Sequence, residues 1–240
     1  MSLNEQVFQL VKSLGADFVG GADLSTAREF ICKQGGEHLS AYPFALSIGI
    51  RLMDTLVDLL PHWEEQWWVS PAYKYHAYDK VNDRLDAIAS RVSSLLQNEG
   101  YRALPVPSWG GARPDTLESL FSHKLAAHLA GLGWIGRSGL LITPQAGPRV
   151  RWTSVLTTFP VERHGPMLED QCGTCTKCAD NCPVKALKGR NFRPDEPREM
   201  RFDYHGCLQN ILAREKQTGA RICSLCVYGC PHGSKNRASA

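Results

Sequence analysis

The sequence predicts an α+β fold in two parts. Residues 1–160 form a domain of helices on a mixed sheet, and residues 161–232 form a small cysteine-rich module. Three observations lead there. Helical and strand-like periods alternate through the first part. Several adjacent strand candidates are joined by turns too short for a parallel crossover, so the sheet mixes directions. All cysteines but Cys32 lie after residue 171. Residues 233–240 are expected to be a flexible tail.

The elements follow in order. Leu3, Val7, Leu10, Val11 and Leu14 keep the helical repeat, and Gly15 ends it. Phe18-Val19-Gly20 predicts a short strand. Ser25 is a candidate cap for a helix through Cys32. Pro43 to Leu52, with the apolar run Phe44 to Ile50, predicts a buried strand. Asp54 to Leu60 predicts a short helical piece before Pro61. His62 to Trp68 carries Trp63, Trp67 and Trp68. The first two are spaced to share a helix face, either as packing or as an aromatic lid over a flat cofactor or a partner.

Tyr73 to Asn98 predicts a long helix with Val81, Leu85, Ile88, Val92, Leu95 and Leu96 as its apolar stripe. Gly100 stops it, and Tyr101 to Val106 predicts a strand. After a loop through Pro114, Asp115 or Thr116 caps a predicted helix running to Ala130. Gly131 to Gly139 is a glycine-rich loop. It follows a helix, whereas a dinucleotide-binding fingerprint follows a strand. Gly139 to Thr143 and Val150 to Thr158 predict two more strands. Gly189 to Met200, rich in Arg and Pro, predicts a solvated connection.

The module carries Cys172-x-x-Cys175-x-x-Cys178-x-x-x-Cys182-Pro183, the spacing of a bacterial [4Fe–4S] ferredoxin site. Three closely spaced thiolates ligate one cubane, and the cysteine before proline serves a second. A second set exists: Cys207, then Cys223-x-x-Cys226-x-x-x-Cys230-Pro231. Cys172, Cys175, Cys178 and Cys230 are assigned to one cluster, and Cys207, Cys223, Cys226 and Cys182 to the other. The predicted module is thus ferredoxin-like with two [4Fe–4S] clusters. Zinc knuckles are the competing reading, though zinc has no use for three crowded ligands or paired C-x₃-C-P endings. Disulfides need an exported chain, and redox CxxC pairs do not need eight cysteines. Cys32 is left over and reads as a small buried hydrophobe.

Composition sets bounds. The chain is 43% hydrophobic with a net charge of +3, which by itself does not imply a nucleic-acid partner. No apolar run is long enough to span a membrane, and no export signal is visible, so a cytoplasmic protein is expected.

The string His123-Lys124-Leu125-Ala126-Ala127, then Ala130-Gly131-Leu132-Gly133-Trp134-Ile135-Gly136, then Leu140-Leu141-Ile142 and the two-cluster module resembles the epoxyqueuosine reductases. These are cobalamin-dependent iron–sulfur enzymes related to reductive dehalogenases. The resemblance implies that the first domain holds cobalamin and that the clusters pass electrons to cobalt. It implies Asp115 as the proton donor and Gly131, Gly133, Trp134, Gly136 and Arg137 as cofactor-contacting residues. By the residues alone, Asp115 reads equally as a helix cap and the glycines as tight turns.

That family continues into a helical-repeat domain that grips tRNA, whereas this sequence stops after the second cluster. A small-molecule substrate is therefore expected rather than tRNA, with a ferredoxin or flavodoxin as electron donor. Two other readings stand beside this one: a flavin-using reductase, and a ferredoxin-like electron carrier that is not an enzyme.

Overall fold

The computed structural model describes residues 1–109 and 118–234. The elements run in chain order as α1 (Leu3–Ser13), β1 (Phe18–Asp23), α2 (Arg28–Gly35), α3 (Glu37–Ser40), β2 (Phe44–Arg51) and α4 (Asp54–Asp58). Then come α5 (Val69–Ala72), a π-helical stretch (Tyr73–Asp79), α6 (Lys80–Asn98), β3 (Ala103–Val106) and α7 (His123–Leu129). The chain closes with β4 (Trp134–Ile135), β5 (Leu141–Ile142), β6 (Val150–Thr157), α8 (Lys177–Asp180), α9 (Tyr204–Thr218) and α10 (Leu225–Tyr228). The fold is α+β, as the alternation of periods predicts.

Compactness divides this chain differently from cysteine chemistry. One compact unit comprises Met1–Arg51, Asn82–Gly133 and Arg151–Leu168. The other comprises Leu52–Val81, Trp134–Val150 and Glu169–Ala240.

The first unit is built on a four-stranded sheet in the order β1-β2-β6-β3. β1 runs antiparallel to β2 from Phe18↔Gly49 to Asp23↔Phe44, and β3 antiparallel to β6. Pro105 cannot donate to a ladder, so β3 belongs at the edge where it stands. Gly21 is pinned to the 161–162 backbone. It donates to the Glu162 carbonyl at 2.7 Å, and a Cβ on it would stand 2.3 Å from the Val161 carbonyl oxygen. α1 opens with a capping box in which Ser2 and Glu5 satisfy each other's backbone N–H groups. It turns Val7 and Val11 inward. Along α6, Val81, Leu85, Ile88, Val92 and Leu96 are buried, and Leu95 is half-buried at the margin of the stripe.

Several local expectations need correction. Ser25 caps nothing; a 3₁₀ turn over Ser25–Ala27 intervenes before α2. Cys32 is half-buried rather than buried. Trp63 and Trp67 share no helix face, because a 3₁₀ turn at Leu60–His62 around Pro61 gives way to turns. Pro61 has no backbone N–H to donate, so α4 does not extend through it. The long helix begins as α only at Lys80, after the π-helical stretch. α7 starts at His123 under a Ser122 cap. The proposed cap at Asp115 or Thr116 lies outside the described residues, as does the tail from 235 onward.

The second unit holds the β4–β5 hairpin, where the sequence reads as a glycine loop followed by a strand. Trp134 pairs with Ile142 and Ile135 with Leu141. Gly139 closes the turn with φ of +71°, a conformation costly to any residue carrying a Cβ. Beyond it, α9 is capped by Asp203, which accepts from Gly206 at 3.0 Å, and it ends at Gly219 in the left-handed conformation.

Candidate iron–sulfur centres

Cysteines distant in sequence gather in two sets within the second compact unit. Cys172, Cys175, Cys178 and Cys230 line one recess, partly open to solvent, together with Arg137, Ser138, Ile142, Pro231 and His232. Cys207, Cys223, Cys226 and Cys182 make the other set. Burial pushes the Cys207 thiol up to about 11, and the neighbouring Cys223 and Cys182 push in the same direction. Burial drives Cys226 higher still, with Cys223 and Cys207 adding to it. Cys230 is raised to about 11 by burial, with Cys172 and Cys178 as like-charged neighbours. Cys182 and Cys230, each followed by proline, sit with the set that begins in the other half of the module.

Burial raises the thiols of Cys172, Cys178, Cys207, Cys226 and Cys230, which favours their protonated form until a cation arrives. A metal displaces the protons and turns the crowding to advantage. Among the described residues no three His, Cys, Asp or Glu side chains close on a single ion. The first set surrounds a space rather than a point, which suits a cubane whose thiolates each bind a separate iron.

The backbone is arranged for sulfur that carries charge. The Arg137 N–H favours the thiolate of Cys172, and the N–H groups of His232 and Gly233 favour that of Cys230. The Cys182 sulfur accepts from the Ala186 N–H at 3.3 Å. The Trp134 indole N–H makes no well-formed hydrogen bond, yet it is near enough to Cys172 to favour its thiolate. The indole is buried and meets the His232 ring edge-on, with centroids 4.9 Å apart.

The glycine string is divided between the compact units. Gly131 has φ of +79°, and a Cβ there would stand 2.4 Å from the Gly165 carbonyl oxygen. The Gly133 carbonyl accepts from His128 Nδ1 at 2.9 Å. In the other unit, a Cβ on Gly136 would meet Ile142 at 2.7 Å and the Cys172 sulfur at 3.1 Å. The Arg137 guanidinium bonds Asn191 and, at 3.2 Å, the Cys175 carbonyl. Protein therefore fills the Cβ side of Gly131 and of Gly136. Trp134, Gly136 and Arg137 gather at the first cysteine set. Asp115 lies outside the described residues.

His123 is engaged on both ring nitrogens, by Ser154 and the Pro107 carbonyl, each at 3.0 Å. His205 is exposed and stacks on Tyr204. Two arginines escaped the sequence reading. Arg149 is fully buried and pairs with Asp54 at 2.9 Å and Asp58 at 2.8 Å. Arg214 is also buried. Its only sequence signal is a seven-residue step from Cys207 along one helix.

Comparison with known proteins agrees with these centres. Residues 171–233 match the 4Fe-4S double cluster binding domain family. An epoxyqueuosine reductase of Staphylococcus aureus is 33% identical over 115 residues, covering 48% of this chain and 27% of the relative. The tetrachloroethene reductive dehalogenase of Sulfurospirillum multivorans is 35% identical over 118 residues, covering 45% and 23%. The matched stretches thus span about a quarter of these relatives' length.

Among solved structures, a catabolic reductive dehalogenase superposes with a TM-score of 0.68 at 21% identity, over 95% of this chain and 31% of that one. An epoxyqueuosine reductase crystallised with a tRNA-Tyr stem loop superposes at 0.62 and 18% identity, over 99% and 67%. A further reductive dehalogenase, described as suggesting a mechanism for B12-dependent dehalogenation, superposes at 0.64 and 20% identity, over 95% and 31%. The chain is thus related to both groups in sequence, carries a double-cluster domain and shares their fold. Among the described residues no helix is long and apolar enough to cross a membrane.

Proposed function

We propose that this chain is an iron–sulfur reductase that moves single electrons through two [4Fe–4S] clusters to a bound corrinoid. Cys172, Cys175, Cys178 and Cys230 hold one cluster, and Cys207, Cys223, Cys226 and Cys182 hold the other. The observation that carries the reading is the sorting of eight cysteines into two groups of four, each drawing one member from the other half of the module. Thiols crowded in this way favour a polynuclear cation over disulfides or single reactive cysteines.

The chain's own residues contribute positioning and polarity. N–H groups of Arg137, His232, Gly233 and Ala186 face sulfur and ease the addition of negative charge there. Gly136 lets the hairpin approach Cys172. The corrinoid is inferred from the relationship to a B12-dependent dehalogenase. Such a group supplies a cobalt centre that takes up electrons one at a time. Gly131, Gly133, Trp134, Gly136 and Arg137 are assigned to the cofactor by the resemblance alone. Asp115 is assigned as the proton donor by the resemblance alone. The substrate is a small molecule, with the tRNA stem loop of the epoxyqueuosine reductases as the alternative to be assayed beside it.

The test is anaerobic reconstitution followed by addition of cobalamin or flavin, read by absorbance and EPR. Retained cobalamin whose cobalt is reduced through the clusters supports the proposal. Flavin retention points to a flavin reductase, and binding of neither points to an electron carrier. About two zinc ions per chain with no acid-labile sulfide removes the iron–sulfur reading altogether. Once a substrate is found, an unchanged rate in Asp115→Asn removes that residue from proton donation.

A further inference from the structure

Arg214 is 4% exposed, and its Nε and Nη1 have no hydrogen-bond partner. The contrast with Arg149 is informative. That guanidinium is just as deeply buried, but two carboxylates hold it. Burying an unmatched guanidinium is among the more expensive things a fold can do, and it persists only where negative charge is close.

Three details say where that charge comes from. Arg214 lies on α9 two turns after Cys207, so the helix carries both on one side. Its guanidinium carbon rests 3.9 Å from the centroid of the Trp63 ring, which fixes the plane of the fork. Burial works against the charge on Arg214 and holds its pKa below the usual arginine range, and the Cys223 sulfur and the Glu64 carboxylate offset only part of that. Glu64 is exposed and water screens it, whereas Cys223 belongs to the second cysteine set. The two N–H groups bond no protein atom, so of the two charges only that of the second cysteine set is a fixed part of the fold.

We propose that Arg214 is the buried counter-charge of the second cluster, directing Nε–H and Nη1–H toward its sulfur ligand Cys223 and making that cluster easier to reduce than its ligands alone would allow. Reduction adds one negative charge to a cluster of unchanged composition, and a fixed cation beside it offsets that charge. Trp63, whose ring lies against the guanidinium, serves as the clamp that holds it in place. Arg214 is thus a positioning residue acting through a cluster ligand, and it sets the potential step between the two centres. This rests on the two-cluster reading above.

The experiment is an EPR-monitored redox titration of the reconstituted full chain, parent against Arg214→Lys, Arg214→Gln and Trp63→Leu. Iron, sulfide and thermal stability are measured in parallel. Arg214→Gln, which keeps an N–H donor but loses the charge, is expected to shift one midpoint potential to more negative values and leave the other in place. Arg214→Lys, which keeps the charge but loses the planar fork, is expected to shift the same centre by less. Trp63→Leu is expected to broaden that centre's signal.

Full cluster content with both potentials unchanged in Arg214→Gln and Arg214→Lys overturns the proposal, and a drop in thermal stability alone then marks a packing role. If Arg214→Gln fails to hold iron, the Arg214→Lys titration decides. A parent chain that holds no clusters at all defeats the two-cluster reading instead, and the two failures are told apart by the parent's iron and sulfide.

Discussion

His123 shows how a single residue can carry the pH dependence of the first unit. Loss of solvation holds its pKa near 4, against an ordinary 6.5, despite the Pro107 carbonyl and Asp86, which favour the charged ring, while Arg151 opposes it. The neutral ring suits its partners. One nitrogen donates to the Pro107 carbonyl, and the other accepts from the Ser154 hydroxyl. Between about pH 6.5 and 4 the unfolded chain binds the proton and the folded chain does not. Stability is therefore fully present above pH 6.5 and falls as the pH drops toward 4, by something on the order of 2 kcal/mol. His123→Gln should flatten that part of the parent's curve, measured as the difference between urea midpoints at pH 7 and pH 4.5.

A second residue, Arg149, is expected to tolerate no loss of its partners. Asp54→Asn combined with Asp58→Asn leaves a buried guanidinium uncompensated, at a cost of about 3–5 kcal/mol in denaturant unfolding. Neither role was legible in the sequence. The His123 spacing to Ser154 and the Arg149 spacing to Asp54 and Asp58 are long-range, and no periodicity connects such pairs.

At the scale of elements, local chemistry was readable where one residue dictates it. The helical stripe of α6 and the buried run of β2 stand where hydrophobic period put them. The stretch from Trp134 to Ile142 did not read as a hairpin, because each strand is only two residues long and alternation over two residues carries no signal. Its purpose appears only in three dimensions. Gly136 brings β4 against Cys172. Gly147, with φ of +56°, lets the following loop lie on the Cys230 turn, where a Cβ would stand 2.3 Å from the Gly233 nitrogen. At Gly136 it is side chains that leave no room for a Cβ, and at Gly147 it is backbone.

Gly136→Ala is expected to lose about 1–3 kcal/mol by overpacking and to reconstitute less iron. Gly147→Ala combines that crowding with an unfavourable φ and should be the worse of the two. Iron per chain after anaerobic reconstitution, compared with a Gly219→Ala control at a position where a Cβ meets nothing within 4 Å, separates cluster loss from general destabilisation. An equal iron content in all three would mean that neither glycine serves the first cysteine set.

At the scale of the molecule, the sequence announces the cysteine module and conceals what else folds with it. The compact unit containing the cysteines also includes Leu52–Val81 and Trp134–Val150, which carry no cysteine at all. Cysteine spacing cannot reveal them, because their contribution is packing and charge: Arg149 between its carboxylates, Trp134 beside Cys172, Trp63 over Arg214. Spacing does carry the crossing of ligands between the halves, and that crossing has a consequence no sequential arrangement shares. Cys182 lies ten residues after Cys172 in the chain, yet its thiol neighbours Cys207 and Cys226. Cys230 lies four residues after Cys226, yet it lines the recess of Cys172, Cys175 and Cys178.

If each half held its own cluster, Cys182→Ser would damage the centre of Cys172, Cys175 and Cys178. With crossed ligation the outcomes reverse. Cys182→Ser should give the same surviving EPR signal as Cys207→Ser, and Cys230→Ser the same as Cys175→Ser, with each variant retaining about half the parent's iron. Matching of Cys182→Ser with Cys175→Ser instead would show that the two halves are independent. The closeness of Cys182 to Cys207 would then have to be explained without a shared cluster.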